Sequence, residues 1–437
     1  MTMSMQLKNL PFDAEAITNF TKNRNEPKWF SEIRLKGLAL AEELPLPTPE
    51  KTRIADWNFT KFNVQTESDA VDQLSDLPEE ISTLMGKGDQ VGNVLIHVNN
   101  SAVFDHLSQN LKDQGVIYTD LATAVREHSD LLANYYFKTT SIDKHQLTAL
   151  NAALVNGGTF LYVPKNVVVS EPIQAVYYQD APEAGLIAHT LVVAEESSSV
   201  TFVESYLSDA AAGTSVANIV NEVVVGANAQ VKYGAVDEFS DQFVTYVSRQ
   251  ANVAKDGRIQ WALGQMNDGN TLSENATNLE GDGAEADIKA VSIGSGSQKQ
   301  NFDNYVRHVG KATKSQLLVR AAQKDASNSI FNARTKIEHG ASGADGEQTQ
   351  RVLMLSDQAR GDANPILLID EYDVVAGHAA SVGRVDPDQL YYLMSRGIKQ
   401  ETAEKLIVEG FLAPVVDLLP IEGVQKQLTK LIERKVG

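Results

Sequence analysis

"LVVAEESSSVTFVES" (residues 191–205) sets a β-branched run, a small polar turn and a second alternating run side by side. The same unit returns as "VVVGANAQVKYGAV" (223–236), "NVAKDGRIQWAL" (252–263), "GDGAEADIKAVS" (281–292) and "KATKSQLLVRAA" (311–322). Aligning the residues that open the second run, Val200, Val231, Ile259, Ile288 and Leu317, gives intervals of 31, 28, 29 and 29, within the roughly 20 to 50 residue window of stacked repeats. A coil of that length cannot cover its own apolar face, so coils stack and line up Val, Ile and Leu into one continuous core. Corners such as Gly226-Ala227-Asn228 and Asp282-Gly283 offer residues that tolerate the left-handed backbone a sharp corner needs. The expected fold is mainly β, a parallel β-helix (β-solenoid). An antiparallel sandwich with evenly spaced strands is the weaker alternative.

Working outward, residues 1–150 read as a mixed, mostly helical unit. A helix is expected from Pro27, with Trp29, Ile33, Leu40 and Leu44 on one face, stopped by "LPLPTP" (44–49). Another is expected over 120–137, while "VGNVLIHVNN" (91–100) has the β-branched run of a buried strand. Residues 151–383 form the β-helix core, and residues 384–437 return to helix. Asp386 is placed to cap a helix that opens with Pro387, carries Leu390, Leu393 and Met394 as a stripe, and stops at Gly397. A second helix, "KQETAEKLIVEG" (399–410), is expected to end at Gly410, and a third (424–436) to bury Val424, Leu428, Leu431, Ile432 and Val436. These helices are expected to cap the end of the solenoid.

Composition removes several functions. A net charge of -19 with no basic run disfavours nucleic acid and anionic lipid surfaces as partners. No apolar run approaches the roughly 18 residues that cross a bilayer, and the first residues lack a signal-peptide pattern, so the expected location is cytoplasmic. The absence of cysteine excludes thiolate nucleophiles and any Cys-ligated metal site supplied by this chain alone. "MGKGDQVGN" (85–93) lacks P-loop spacing, and no two of the eight histidines sit three or four residues apart. Asp370, Glu371 and Asp373 are a candidate acidic cluster on a strand, with a solvated strand face the commoner reason for such pairs. His378, in "AGHAASVG" (376–383), either donates to a backbone carbonyl or belongs to a terminal coil that another chain completes.

"DANPILLIDEYDVVAGHAASVGRVDPDQLYYLMSRGI" (362–398) followed by "LIVEGFLAP" (406–414) resembles the C-terminal signature of the SufB/SufD family, scaffold proteins of the SUF iron–sulfur cluster assembly system. "LPLPTPEKTRIADW" (44–57), "FLYVPKNVVVSEPI" (160–173), "AEESSSVTFVES" (194–205) and "RVLMLSDQARGDANP" (351–365) extend the likeness over nearly the whole chain. The SufD branch is indicated because SufB-type members use cysteine in receiving sulfur. The resemblance implies a right-handed parallel β-helix core flanked by N-terminal and C-terminal helical regions. It implies a noncatalytic scaffold in a complex with one SufB and two SufC ATPase subunits, pairing with SufB through the β-helix and docking SufC through the C-terminal helices. It also implies no cofactor bound stably by this chain alone, an iron or Fe–S cluster shared with SufB, and a homodimer as one form of the isolated chain. His378 matches the family histidine tied to iron or cluster handling, with Ala376 where relatives carry cysteine. Tyr391, Tyr392, Arg396 and Phe411 are the expected partner anchors, since aromatic and arginine side chains dominate interfaces. The competing reading is a β-helix enzyme acting on acidic polysaccharide.

Overall fold

Successive coils turn one corner through a residue with left-handed backbone, and these corners stack. Ser197, Asn228, Asp256, Gly283, Ala312 and Gly343 have φ of 60, 56, 54, 71, 52 and 73°. Their N–H groups donate to Ala227, Lys255, Asp282, Lys311, Ser342 and Asp373 carbonyls of the following coil. The bond between coils offsets the roughly 1–2 kcal/mol that a residue with a Cβ loses in this conformation. In the computed structural model, which describes residues 7, 10–62, 68–85, 92–181, 183, 185–209, 214–418 and 422–436, the coils build a parallel β-solenoid of about eight turns. Most of the glycine-bearing segment 85–93 lies outside the described residues.

Each coil gives one strand to each of two sheets. Ile173–Gln179, Ser199–Ser208, Gln230–Glu238, Arg258–Gln265, Glu285–Gly294, Lys314–Gln323, Ala344–Met354 and Val374–Arg384 stack in one. Thr159–Val163, Gly185–Ala194, Ser215–Val225, Phe243–Val253, Thr271–Leu279, Lys299–His308, Asn328–Ile337 and Arg360–Ile369 stack in the other. Pairing within these stacks is parallel, which excludes the sandwich. Val200, Val231 and Ile259 lie above one another as aligned, but Ile259 pairs with Ala286 and Trp261 with Ile288. The slip is two residues, so the inward face is kept.

The two ends differ. At the first, Asn93–Val98 extends one sheet and is closed by antiparallel Ser101–His106, while Ile117–Asp120 closes the other sheet antiparallel to Thr159–Val163. At the opposite end, Val374–Arg384 and Arg360–Ile369 are terminal strands with one neighbour each.

Helices cover the flanks. Lys28–Glu43 packs on Gln146–Leu154, and together they bury Leu38, Ala41, Leu147 and Leu150 against Ile187, Val220 and Tyr246 of the second sheet. The buried face of the first is Phe30, Arg34, Gly37, Leu38 and Ala41; Trp29, Ile33, Leu40 and Leu44 flank it half-buried. Gly37 dictates this rotation, because a Cβ there would lie 2.8 Å from both Ala149 O and Ala153 N. The stretch expected as one helix over 120–137 breaks at His128 into Leu121–Glu127 and Ser129–Ala133.

The C-terminal helices do not cap the solenoid. Gln400–Val416 and Glu422–Val436 lie along the outer face of the first sheet, where Val408, Leu412, Val424 and Leu428 meet Val236, Ala262, Val291 and Ala322. Gly410 does not end its helix, which runs on to Val416. Burying Leu412, Val415 and Val416 on the sheet outweighs the roughly 1 kcal/mol cost of an internal glycine. Among the described residues no helix is long and apolar enough to cross a membrane.

Candidate functional site at the open end

Strand alternation decides which side chains the open end presents. In Ala344–Met354, Ala344, Gly346, Gln348, Gln350 and Val352 are buried, and their parallel register partners are Val374, Ala376, His378, Ala380 and Val382. Across the lumen, buried Ser329, Phe331, Ala333, Thr335 and Ile337 lie beneath Gly361, Ala363, Pro365, Leu367 and Ile369. The last rung is therefore a cross-section of the solenoid core facing outward. All of its inward residues are glycine, proline or apolar except His378. Val382 is 41% and Ile369 42% exposed, with Val375, Leu368 and Tyr372 exposed around them. Such an apolar face, bordered by two unpaired strand edges, is a kind of surface that natural sheets usually cover or blunt.

His378 is exposed, and among the described residues its ring has no hydrogen-bond partner. Gln348 beneath it is held by its amide, which donates to Ala333 O (3.2 Å) and accepts from the Thr335 N–H (2.9 Å). Among the described residues no three His, Asp or Glu side chains gather to hold a metal. One imidazole here can supply one ligand of a site completed elsewhere.

The acidic cluster is not on a strand. Asp370, Glu371 and Asp373 occupy the corner between the last two strands. Hydrogen bonds from the Tyr372 and Gly340 N–H groups, both 2.8 Å, hold the Glu371 carboxyl below the usual range, and His339 stands 3.7 Å away. Asp370 pairs with Lys336. Two of these carboxylates are thus committed to the turn and to an ion pair.

Asp386 accepts from the Asp388 N–H (2.9 Å) and starts helix Pro387–Ser395, which buries none of its residues. Tyr391 is 74% and Tyr392 56% exposed. The Arg396 guanidinium lies 5.1 Å from the Tyr392 ring centroid and donates to its hydroxyl (3.1 Å). Phe411 departs from the expected exposed anchor. It is half-buried on the first sheet, with the Arg320 guanidinium 5.2 Å from its ring and donating to its carbonyl, so it fastens a helix to the chain's own solenoid.

Sequence reading missed a charged cluster inside the core. Arg249 binds Asp237 (2.6 Å) and Glu204 (3.1 Å), and Glu204 also accepts from Tyr206 (3.0 Å) and Asn221 (2.6 Å). Burial pushes the Glu204 carboxyl above its usual range even beside Arg249. The only signal in the sequence is a charged residue at an inward position of an apolar strand, as in "TFVES" and "YVSRQ".

Comparison with known proteins agrees with this architecture. The SufBD protein N-terminal region matches residues 89–175, and the SufBD core domain of SUF system FeS cluster assembly matches residues 177–411. The iron–sulfur cluster assembly protein SufD of Bacillus subtilis is 53% identical across 98% of this chain and 98% of its own length. Iron–sulfur cluster assembly SufBD family proteins of Staphylococcus epidermidis and Staphylococcus aureus are 27% and 26% identical, across 93% of this chain and 89% of theirs. With both regions matched in order and the solenoid in place, the chain belongs to the SufB/SufD family of iron–sulfur cluster assembly proteins, as a SufD-type member.

Proposed function

We propose that this chain is a noncatalytic scaffold subunit of a SUF complex, pairing end to end with a SufB-type solenoid through its last rung and docking a SufC-type ABC ATPase through its C-terminal helical region. The carrying observation is the asymmetry of the two ends: antiparallel strands close one, while the other exposes a core cross-section. A partner with the same rung geometry would extend both sheets and cover the apolar layer in one step. A second copy of this chain would do the same less specifically, giving a homodimer when it is isolated. The exposed Tyr391, Tyr392 and Arg396 are the anchors for the ATPase. Iron and sulfide are cargo in this reading, and His378 donates one ligand to a site whose thiolates come from the partner, since this chain has no cysteine. The same reading places the complex in the cytoplasm.

Co-expression with SufB-type and SufC-type subunits tests it, followed by native mass spectrometry and metal analysis. The expected species contains one copy of this chain, one SufB-type subunit and two ATPase subunits. A chain that stays monomeric beside both subunits, or that alone turns over polygalacturonate, would overturn the proposal.

A further inference from the structure

The stretch 44–57, which stops helix Lys28–Glu43, is a loop fastened at both ends. Leu46, Ile54 and Trp57 are buried in one cluster with Tyr246 and Leu272 of the second sheet. Between these anchors the chain runs out over the outer face of that sheet, toward the open end. Asn301, which alternates with core residue Phe302 and so points outward, donates to Glu50 O (2.9 Å) and to the Thr52 hydroxyl (2.8 Å). Lys51 is the tip, with a left-handed backbone (φ 55°) that residues carrying a Cβ rarely adopt. Its ammonium reaches two strands further than Asn301, to the last coil. There it lies 3.3 Å from the Asp362 carboxylate and donates to Asn364 Oδ1 (3.1 Å).

The bond to Asn364 completes a ladder. Asn332 Nδ2 donates to Asn301 Oδ1 (3.4 Å) and Asn364 Nδ2 to Asn332 Oδ1 (3.0 Å), so each carbonyl oxygen accepts from the coil that follows. Asn364 is on a terminal strand, with no following coil to donate to its oxygen. Lys51 supplies that donor from the loop. Only one of the two terminal strands is held in this way. Asp362 to Leu367 are half-buried, whereas Val374–Arg384 is exposed from His378 to its end. The Lys51–Asp362 pair alone is partly in water and weak. Joined to the ladder and to a loop anchored on both sides, the same ammonium ties the last strand to the N-terminal core.

We infer that Lys51 is a positioning residue for the pairing surface, clamping Arg360–Ile369 from outside so that this half of the open rung is in place before a partner arrives. The inference rests on the reading of that rung as the SufB-type contact. A strand with one neighbour is among the elements freest to open locally, and order imposed before docking lowers the entropy lost on docking. Lys51 touches no partner in this account; it acts through the strand it holds.

The test is hydrogen–deuterium exchange of the full chain, read at the amides of 360–369, with binding of the same variants to the SufB-type subunit measured by surface plasmon resonance. Lys51→Met keeps the aliphatic stem and removes the donors. It is expected to speed exchange in 360–369 about tenfold and to weaken SufB-type binding about fivefold, with exchange in 374–384 and the melting temperature unchanged. Lys51→Arg, which can still donate to both oxygens, should restore exchange and affinity. Arg53→Met removes the same charge from a side chain 75% exposed on the same loop and should change neither. Exchange in 360–369 that matches the parent in Lys51→Met would refute the clamp, however the rung is used. An equal effect of Arg53→Met would assign the loss to charge and refute it too. Faster exchange with unaltered affinity, in an assay where Val382→Asp lowers that affinity, would refute the positioning role. If Val382→Asp is also without effect, the reading of the rung has failed and the positioning role falls with it, while the exchange result still decides the clamp.

Discussion

His378 stands directly above Gln348 on the lumen side of the last two rungs, and the pair marks where the interior becomes a surface. Gln348 is 2% exposed and bonded through both ends of its amide; His378 is exposed, and no bond from the described residues reaches its ring. A side chain on an inward position but outside any intramolecular network contributes little to folding and is available to whatever covers the rung.

His378→Ala is therefore expected to fold normally, with an unfolding free energy within about 0.5 kcal/mol of the parent, and to enter the complex. Iron and acid-labile sulfide in the purified complex are expected to fall steeply. Urea unfolding and metal analysis on one preparation check both halves, and a full cluster complement would remove the imidazole from cargo handling.

Gly37→Ala places a methyl against backbone that cannot yield, 2.8 Å from Ala149 O and Ala153 N. The helices must separate or shift, and a loss of about 1–3 kcal/mol is expected. A lower urea midpoint with an unchanged slope is the signature. No loss would mean that the two helices slide freely on the sheet.

Arg249→Met leaves Glu204 and Asp237 facing each other without a cation in a fully buried site. The expected cost is about 3–5 kcal/mol, because breaking such a cluster strands charge in low dielectric. Combining it with Glu204→Gln and Asp237→Asn should recover most of the loss, read by thermal unfolding at neutral pH. A single variant as stable as the parent would show that water already enters the core.

Much of the solenoid was legible because its stacking is written in each coil separately: a β-branched run, a corner residue that accepts positive φ, and a second run. The register at Ile259 was not, since a two-residue slip keeps every side chain on its face and the sequence favours large over large, whereas the fold sets Ile259 over Ala286. The stripe Val424, Leu428, Leu431 announced a buried face but not its partner, and the helices went to the sheet's flank rather than its end. Gly410 shows packing overriding propensity. At the site, the position of His378 on the last strand was readable, but the apolar layer around it needs both terminal strands at once. The Glu204, Asp237 and Arg249 cluster draws on separate coils and leaves no local spacing to find.

Two buried histidines contribute to the acid side of the stability profile. Burial lowers both His97 and His308 from 6.5 to about 4. Between those values the unfolded chain binds protons at these positions that the folded chain refuses, so their contribution to stability is full above about pH 6.5 and is lost as pH falls toward 4. Each histidine adds a slope of about 1.4 kcal/mol per pH unit in that window. His308→Asn, which can still meet Thr313 or Ser315, is expected to remove one of these slopes between pH 5 and 6 in urea titrations. An unchanged slope would mean that His308 is protonated in the fold.

Val382 tests the open end most directly. It lies above Val352, itself 3% exposed, yet keeps 41% of its own surface in contact with solvent. In the isolated chain Val382→Asp can turn its carboxylate to water, and the change in unfolding free energy should stay near 1 kcal/mol. Once a partner rung covers the layer, the same carboxylate is buried without a cation, and affinity for the SufB-type subunit should fall about 100-fold or more. Tyr391→Ala with Tyr392→Ala should show the opposite selectivity, weakening the ATPase contact and leaving the solenoid pair intact. Binding of both variants to each subunit, measured by surface plasmon resonance, separates the two surfaces; an aspartate at 382 that leaves SufB-type affinity unchanged would mean that the chains do not meet through this rung.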